Sequence, residues 1–436
     1  MTEREDRERS DRLLQEAMRA RLSRRSVLRG AGVGVAGISL ASLLAACGEG
    51  DGGTGGNGDA QTGGAPADVF SGEPGDEVNF ANWPLYLDQA KDKDGNVYHP
   101  TLKLFEEATG IHVNYEDVIQ SNEEFFGKIQ PQLAGGDSTG WDIIVITNGR
   151  QFNVLTTNEW VYRLDPAMRP NFDANATPFA KDPTYDPGNT FSMPWQGGFT
   201  GIGYDKTKVN GAITKLDDLA NPAIVGTDSV GMLSSDMPDF VMINLGIDPA
   251  TSGPAEWQEA ADWLQMQRES GTVRQYYDQG YIDDFVAGNT PVSMAWSGDV
   301  IYYALWAGYT DFEFMFPEGG ALLWQDNMMV PVGAGNAPGA AQVMDWYYDP
   351  KIATMVTEWV IYLSPVAGVQ DRILEDADAA LDDGYKGYSN KLRATAESPY
   401  SFPDDALLAQ TKFGTNITND EQAEEWDNIF LPITQQ

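Results

Sequence analysis

Residues 141 to 146 read WDIIVI, a continuous apolar run of the kind that makes a parallel strand covered on both faces. The segments before it alternate between the two structural periods. VNFANW (78 to 83) reads as a strand, TLKLFEEATG (101 to 110) as a helix with Gly110 at its C-terminal stop, and IHVNYEDV (111 to 118) as an alternating second strand. Ser121-Asn122-Glu123-Glu124 is a capping box for the helix EFFGKIQPQL that leads into WDIIVI. Further along, PAEWQEAADWLQMQRES (254 to 270) places Trp257, Ala261 and Leu264 on one helical face, while PVSMAW (291 to 296) and ALLWQ (321 to 325) read as strands. A β-α-β opening followed by more of the same predicts an α/β fold. The chain has 436 residues and is 42% hydrophobic, enough for a large core and for two or three structural units. No internal repeat is present.

The N-terminus is set apart from this pattern. Ser23-Arg24-Arg25-Ser26-Val27-Leu28-Arg29 is a twin-arginine export pattern, followed by the uncharged stretch from Gly30 to Ala46. Leu44-Ala45-Ala46-Cys47 resembles a lipoprotein signal box, which makes Cys47 the expected lipidated first residue of the mature chain. Within the uncharged stretch Gly32-Val33-Gly34-Val35-Ala36-Gly37 matches G-x-G-x-x-G. It lacks the preceding strand, following helix and acidic residue of a dinucleotide site, so that reading is rejected. From Gly48 the composition becomes Gly, Asp, Thr and Pro, as in GEGDGGTGGNGDAQTGG, a flexible tether. The expected division is a signal peptide at 1–46 and a tether at 47–76, with the folded body beyond.

Charge and rare residues exclude several kinds of chemistry. The formal net charge is -37, which repels nucleic acid and favours cationic partners. Nine of the 28 basic and six of the 65 acidic side chains lie in residues 1–46, leaving 19 against 59 beyond them. Cys47 is the only cysteine, so no disulfide within the chain and no cysteine metal cluster is expected. The only two histidines, His99 and His112, are separated, and His112 falls in an alternating strand as an ordinary surface residue. Neither a Ser-His-Asp triad nor a zinc site fits that inventory. No cofactor or metal is expected.

Carboxylates remain as the abundant reactive groups, and three clusters join them to aromatic or turn chemistry. SMAWSGD (293 to 299) ends a strand with Trp296 and Asp299. LLWQD (322 to 326) ends another with Trp324 and Asp326, inside the apolar run ALLWQDNMMVP. LSSDMPDF (233 to 240) sets Asp236 and Asp239 three apart. Burying a lone ionised carboxylate such as Asp326 costs several kcal/mol, so it needs a partner. Trp faces attract alkylammonium groups by roughly 0.5 to 2 kcal/mol and a facing carboxylate adds a charge-assisted bond, so the clusters suit an amine-binding box. Two carboxylates in a Trp-lined cleft also suit a glycoside hydrolase, and a sugar- or iron-binding lipoprotein is a further alternative.

The chain is similar to the extracytoplasmic polyamine-binding proteins of ABC importers, the spermidine- and putrescine-binding type. The likeness spans residues 77 to 435 in order: NWPLYL at 82 to 87, TGIHVNYE at 109 to 116, SNE at 121 to 123, WDIIV at 141 to 145, MPW at 193 to 195, then the three acidic clusters. It implies a two-lobed periplasmic-binding-protein-like fold, with lobes at 77–197 plus 326–372 and 198–325 plus 373–436 joined by crossing strands. It implies that Trp83 and Tyr86 line the pocket, that Asp236 and Asp239 receive one end of a polyamine, and that Trp296 and Trp324 sandwich its methylenes. Asp326 would grip an ammonium, Asp299 matches an acid of putrescine-type members, and Tyr362 matches a pocket tyrosine.

Two departures stand out. Where the family often has a Ser and a Tyr two apart, this chain has Thr147-Asn148-Gly149, so Thr147 contributes to the wall and Gly149 does not. A C-terminal Gln used by some members has no clear match in TKFGTNITND. The resemblance further implies a monomeric, non-enzymatic protein. It would be anchored through Cys47 on the outer face of the cytoplasmic membrane and close its lobes on a dication for an ABC permease. Mass spectrometry of the mature product is expected to find a diacylglyceryl-modified peptide beginning at Cys47, and Cys47→Ser to release the protein or leave it unprocessed. A mature product that retains Met1 would contradict this.

Overall fold

The computed structural model describes residues 69–434. The expected signal peptide, Cys47 and the tether up to residue 68 lie outside the described residues. Packing begins ahead of the boundary at Asp76 expected from composition. Phe70 is buried with its ring 6.2 Å from that of Tyr162, and the Gly75 N–H donates to Asn336 Oδ1 at 3.0 Å. Residues 89–100 form a separate small unit, in which β2 (Ala90–Lys91) and β3 (Val97–Tyr98) pair antiparallel around a turn tied by Asp92.

The body holds one ten-stranded sheet. Its strands are β1 (Glu77–Asn82), β4 (His112–Asp117), β5 (Ile143–Thr147), β6 (Met193–Asp205), β7 (Val230–Leu233), β8 (Val273–Tyr277), β9 (Val292–Trp296), β10 (Phe312–Met315), β11 (Ala321–Met329) and β12 (Thr411–Lys412). The main path runs β4-β1-β5-β11-β6-β9-β7-β8. Within it β4, β1 and β5 are parallel, as are β9, β7 and β8. Two long strands, β11 and β6, run antiparallel between these blocks and to each other. The fold is therefore two parallel α/β blocks joined by a crossing pair of strands.

Local chemistry explains the elements. The run predicted as a doubly covered strand is β5, whose residues Ile143 to Ile146 are fully buried. Ser121 caps the helix Asn122–Gly135 by accepting from the Glu124 N–H, and Gly136 closes it with a left-handed φ of 77°. That helix turns Phe125, Ile129 and Leu133 inward. Around the first block, the rings of Phe80, Trp195 and Tyr347 interlock edge to face. In the second block, Trp257, Ala261 and Leu264 of the helix Pro254–Glu269 are buried in a core with Phe199, Met232 and Phe240. The C-terminal helix Asp420–Thr434 closes that core through Trp426, 5.2 Å from Trp257. His112 is a surface residue, paired with Glu106 at 3.3 Å.

Asp142, inside WDIIVI, ties the first block together. It is buried, accepting from the Asn79 N–H of β1 at 2.8 Å and from the N–H of Asn336, the cap of the helix Ala337–Trp346, at 2.7 Å. Asp142→Ala strands two donors, one buried and one partly buried, and is expected to cost about 2 to 5 kcal/mol in urea unfolding. A loss under about 0.5 kcal/mol would show that water replaces the carboxylate freely.

Candidate functional site

The candidate residues collect at the carboxyl ends of β1, β5, β7 and β9, where open α/β sheets place their ligands. Asp326 is central. It lies on the crossing strand β11 opposite Thr147 of β5 and Gln196 of β6, and the register slips immediately after it. A bulge of this kind bends a strand and re-aims its side chains. The Asp326 carboxylate accepts from the Tyr86 hydroxyl at 2.7 Å and from Thr147 Oγ1 at 2.6 Å. Thr147 is itself held by Asn122, whose Nδ2 donates to Thr147 Oγ1 at 2.9 Å.

The other acids come from the second block. Asp299, on the short helix Ser297–Ile301 after β9, accepts from Tyr362 at 2.8 Å through Oδ1 and from Tyr281 at 3.0 Å through Oδ2. Asp236, just after β7, accepts from Ser235 at 2.7 Å, from Trp296 Nε1 at 3.0 Å and from Thr200 Oγ1. Asp239, in the first turn of the helix Met237–Asn244, accepts from the N–H of Thr415 at 3.0 Å and from its Oγ1. All the donors to these four carboxylates are hydroxyl, indole or amide groups. Among the described residues none of the four forms an ion pair with Lys or Arg.

Aromatic rings wall the same space. Tyr362 packs edge to face with Tyr86 at 5.6 Å and with Trp324 at 5.4 Å, and Tyr281 packs with Trp296 at 5.3 Å. The Trp324 indole N–H is buried without a hydrogen-bond partner. Tyr362 follows Ile361, which caps the helix Pro350–Val360 in the left-handed region at φ 66°. The next residue, Leu363, exchanges backbone hydrogen bonds with Gly197 of β6 at 2.9 and 3.0 Å, which steers the Tyr362 ring toward the acids. Trp83 is half-buried and donates through Nε1 to the Val145 carbonyl of β5, so it stands on the wall rather than bonding a carboxylate.

Burial controls the protonation of the cluster. It pushes the carboxyls of Asp326, Asp239 and Asp299 up to about 6 from the usual 3.8, against the opposing effect of their hydroxyl donors. The negative charge of Asp236 adds to the rise at Asp326 and Asp239. Burial, reinforced by the neighbouring carboxylates, holds the phenols of Tyr86, Tyr281 and Tyr362 well above the usual range, so they stay donors.

The structure brings Tyr86, Thr147, Asp236, Trp296, Asp299, Trp324, Asp326 and Tyr362 into one linked network, with Asp239 beside it and Trp83 on the adjoining wall. Sequence reasoning missed Tyr281, Thr200 and Thr415. Thr415 lies in the stretch TKFGTNITND where no counterpart of the family's C-terminal Gln was found, and it reaches Asp239 from there. Tyr281 carries no local signal, because its role depends on the distant Asp299. Gly149 caps the helix Arg150–Thr157 at φ 135° and adds no side chain. Among the described residues no cluster of His, Cys, Asp or Glu is arranged to hold a metal ion, and no helix is long and apolar enough to cross a membrane.

Comparison with known proteins gives this arrangement a context. Residues 100–386 match the family described as bacterial extracellular solute-binding protein. The chain is 24% identical over 287 residues to the spermidine/putrescine-binding periplasmic protein of Escherichia coli, covering 66% of this chain and 76% of that one. It is 29% identical over 303 residues to the putrescine-binding periplasmic protein PotF of the same organism, covering 65% and 76%. Among solved structures, the spermidine/putrescine substrate-binding protein PotD of Streptococcus pneumoniae superposes with a TM-score of 0.64 at 21% identity, over 82% of this chain and 98% of that one. The Tp0655 (TpPotD) lipoprotein of Treponema pallidum does so with a TM-score of 0.64 at 17% identity, over 83% and 100%. The fold is thus the two-lobed, periplasmic-binding-protein-like one, two α/β lobes joined by crossing strands.

The raised carboxyls make a stability signature. Asp326 titrates at about 6 when folded and near 3.8 when exposed, so between those values the folded chain holds the extra proton. Stability from this source is present at low pH and lost as the pH rises through about 6. Without ligand, Asp326→Asn is expected to melt above the native chain at pH 7 by calorimetry, with the gap shrinking at pH 5. A variant that melts lower at both values would make Asp326 a structural residue.

Proposed function

The chain belongs to the bacterial extracellular solute-binding proteins, and from that membership we propose that its solute is a linear polyamine, putrescine or spermidine. Binding, not catalysis, is the family's role, which sets aside the hydrolase alternative. The observation that carries the ligand assignment is the carboxylate cluster: Asp326, Asp299, Asp239 and Asp236 are gathered beside the crossing strands with hydroxyl, indole and amide donors and, among the described residues, no basic side chain bonded to them. Alkylammonium groups supply the missing charge, and the faces of Trp296, Trp324, Tyr86 and Tyr362 suit the methylenes between them. The names of the relatives, which bind spermidine and putrescine, point the same way.

The lobes are taken as 77–197 plus 326–372 and 198–325 plus 373–436, with Gly197-Gly198 and Asp326 at the crossings. In an open state the acids are hydrated and repel one another. A dication relieves the repulsion and bridges Asp326 and Tyr86 of one lobe to Asp236 and Asp299 of the other, shifting the population toward closure. The closed, loaded monomer then presents its cargo to the permease of an ABC importer, which supplies the transport energy. Anchoring through Cys47 on the outer face of the membrane would keep it close to that partner.

Calorimetric titration of the mature domain is expected to give putrescine and spermidine similar affinities, and butylamine at least about tenfold less, since one lost charge-assisted bond is worth about 1.5 to 3 kcal/mol. Asp326→Ala is expected to lose about 2 to 5 kcal/mol of amine binding while remaining folded. Equal affinity for butylamine and putrescine, or no heat with any amine, would overturn the assignment and return a sugar or another solute to consideration.

A further inference from the structure

Two glycines touch the aromatic wall more closely than any other residue could. Gly298 precedes Asp299 on the helix Ser297–Ile301, and Gly198 lies on β6 opposite Trp324 of β11. A Cβ at Gly298 would sit 2.7 Å from Cγ, Cδ1 and Cε1 of Tyr362. A Cβ at Gly198 would sit 2.4 Å and 2.7 Å from Cζ2 and Cη2 of Trp324 and 3.0 Å from Cδ1 of Tyr362. Real Cβ contacts essentially never fall below 3.0 Å. Neither glycine has a positive φ, so the backbone at both positions is open to alanine and the constraint is space alone. In a helix glycine is the weaker former, so propensity favours alanine at 298 and the Tyr362 ring opposes it.

We propose that Gly198 and Gly298 are specificity-determining residues of the site: together they form a slot that holds the Tyr362 and Trp324 rings back against the backbone and so sets the width left for an alkylammonium group. The inference rests on the amine reading of the site. Tyr362 is caught between the two glycines, lying on one and edging the other, while its hydroxyl reaches past Gly298 to Asp299 Oδ1 at 2.8 Å. A methyl at 298 lifts the ring off the helix and breaks that hydrogen bond. A methyl at 198 lifts Trp324 off β6 and presses on Tyr362 as well. Both narrow the box from the same side, so a bulkier amine head suffers more than a primary one.

The test compares putrescine with N-methylputrescine on the native mature domain, Gly298→Ala and Gly198→Ala. Each variant is expected to weaken N-methylputrescine at least about tenfold more than putrescine. Gly198→Ala combined with Trp324→Phe, which removes the two closest ring atoms the new methyl meets and leaves the looser contact with Tyr362, is expected to bring the ratio back toward the native one. An unchanged ratio, a parallel loss for both amines with a lowered melting temperature, or no rescue by Trp324→Phe would overturn the slot while leaving the amine reading in place. If the native domain binds neither amine, that reading fails instead. The slot is then decided by the crystal structure of Gly298→Ala: a displaced Tyr362 ring with its bond to Asp299 broken supports it, and a ring in its native place overturns it.

Discussion

Four carboxylates, Asp326 buried and Asp236, Asp239 and Asp299 half-buried, meet at one place with no basic side chain among the described residues bonded to them, and the rest of the molecule is arranged around that constraint. An isolated buried charge is among the most costly groups a fold can contain. Here the cost is lowered by hydroxyl donors: Tyr86 and Thr147 for Asp326, Tyr281 and Tyr362 for Asp299, Thr415 for Asp239. The same burial that raises the carboxyls also keeps the phenols protonated, so donors and acceptors are matched across the neutral range. What the hydroxyls cannot supply is positive charge. A chain of net charge -37 draws cations toward such a site from solution, and the cationic solute proposed above would complete what the fold leaves incomplete.

The crossing strands make this possible. β11 and β6 together bridge the two parallel blocks, β11 pairing with β5 on one side, β6 with β9 on the other, and the two with each other. Asp326 sits on that junction, next to a bulge, with Thr147 supplied by one block and the Asp236 charge by the other. Strand ends at the carboxyl edge of parallel sheets carry side chains into the crevice without breaking the ladder hydrogen bonds, so the scaffold stays intact while the site varies. The close approach of rings to Gly198 and Gly298 extends the same principle: backbone is brought up to the aromatic wall only where no side chain intervenes.

Much of this was legible in the residues taken in order. Hydrophobic periodicity, the Ser121 cap and the Gly110 stop placed the early strands and helices, because those signals are local and depend on a few neighbouring residues. The three acid and aromatic clusters were visible because each joins a strand end to its turn. Phe70 was not, since the pair Val69-Phe70 in a polar, glycine-rich stretch is too short to show a period; Phe70 packs against Tyr162 far along the chain. Tyr281 and Thr415 were missed for the same reason, as they act only through Asp299 and Asp239, and nothing in their own surroundings marks them.

Composition and order by themselves determined the α/β class, the scarcity of cysteine and histidine, and the concentration of acids beside tryptophans. Tertiary structure alone decided that those acids meet. It selected Tyr86, Thr147, Tyr281 and Tyr362 as their donors and, among the described residues, left no Lys or Arg bonded to them, and it turned two ordinary glycines into the floor beneath the aromatic wall. The physical reason is that helix and strand patterns follow from neighbours a few residues apart. Burial of charge and the contact of ring with backbone are properties of segments separated by tens to hundreds of residues, which only the folded sheet brings within bonding distance.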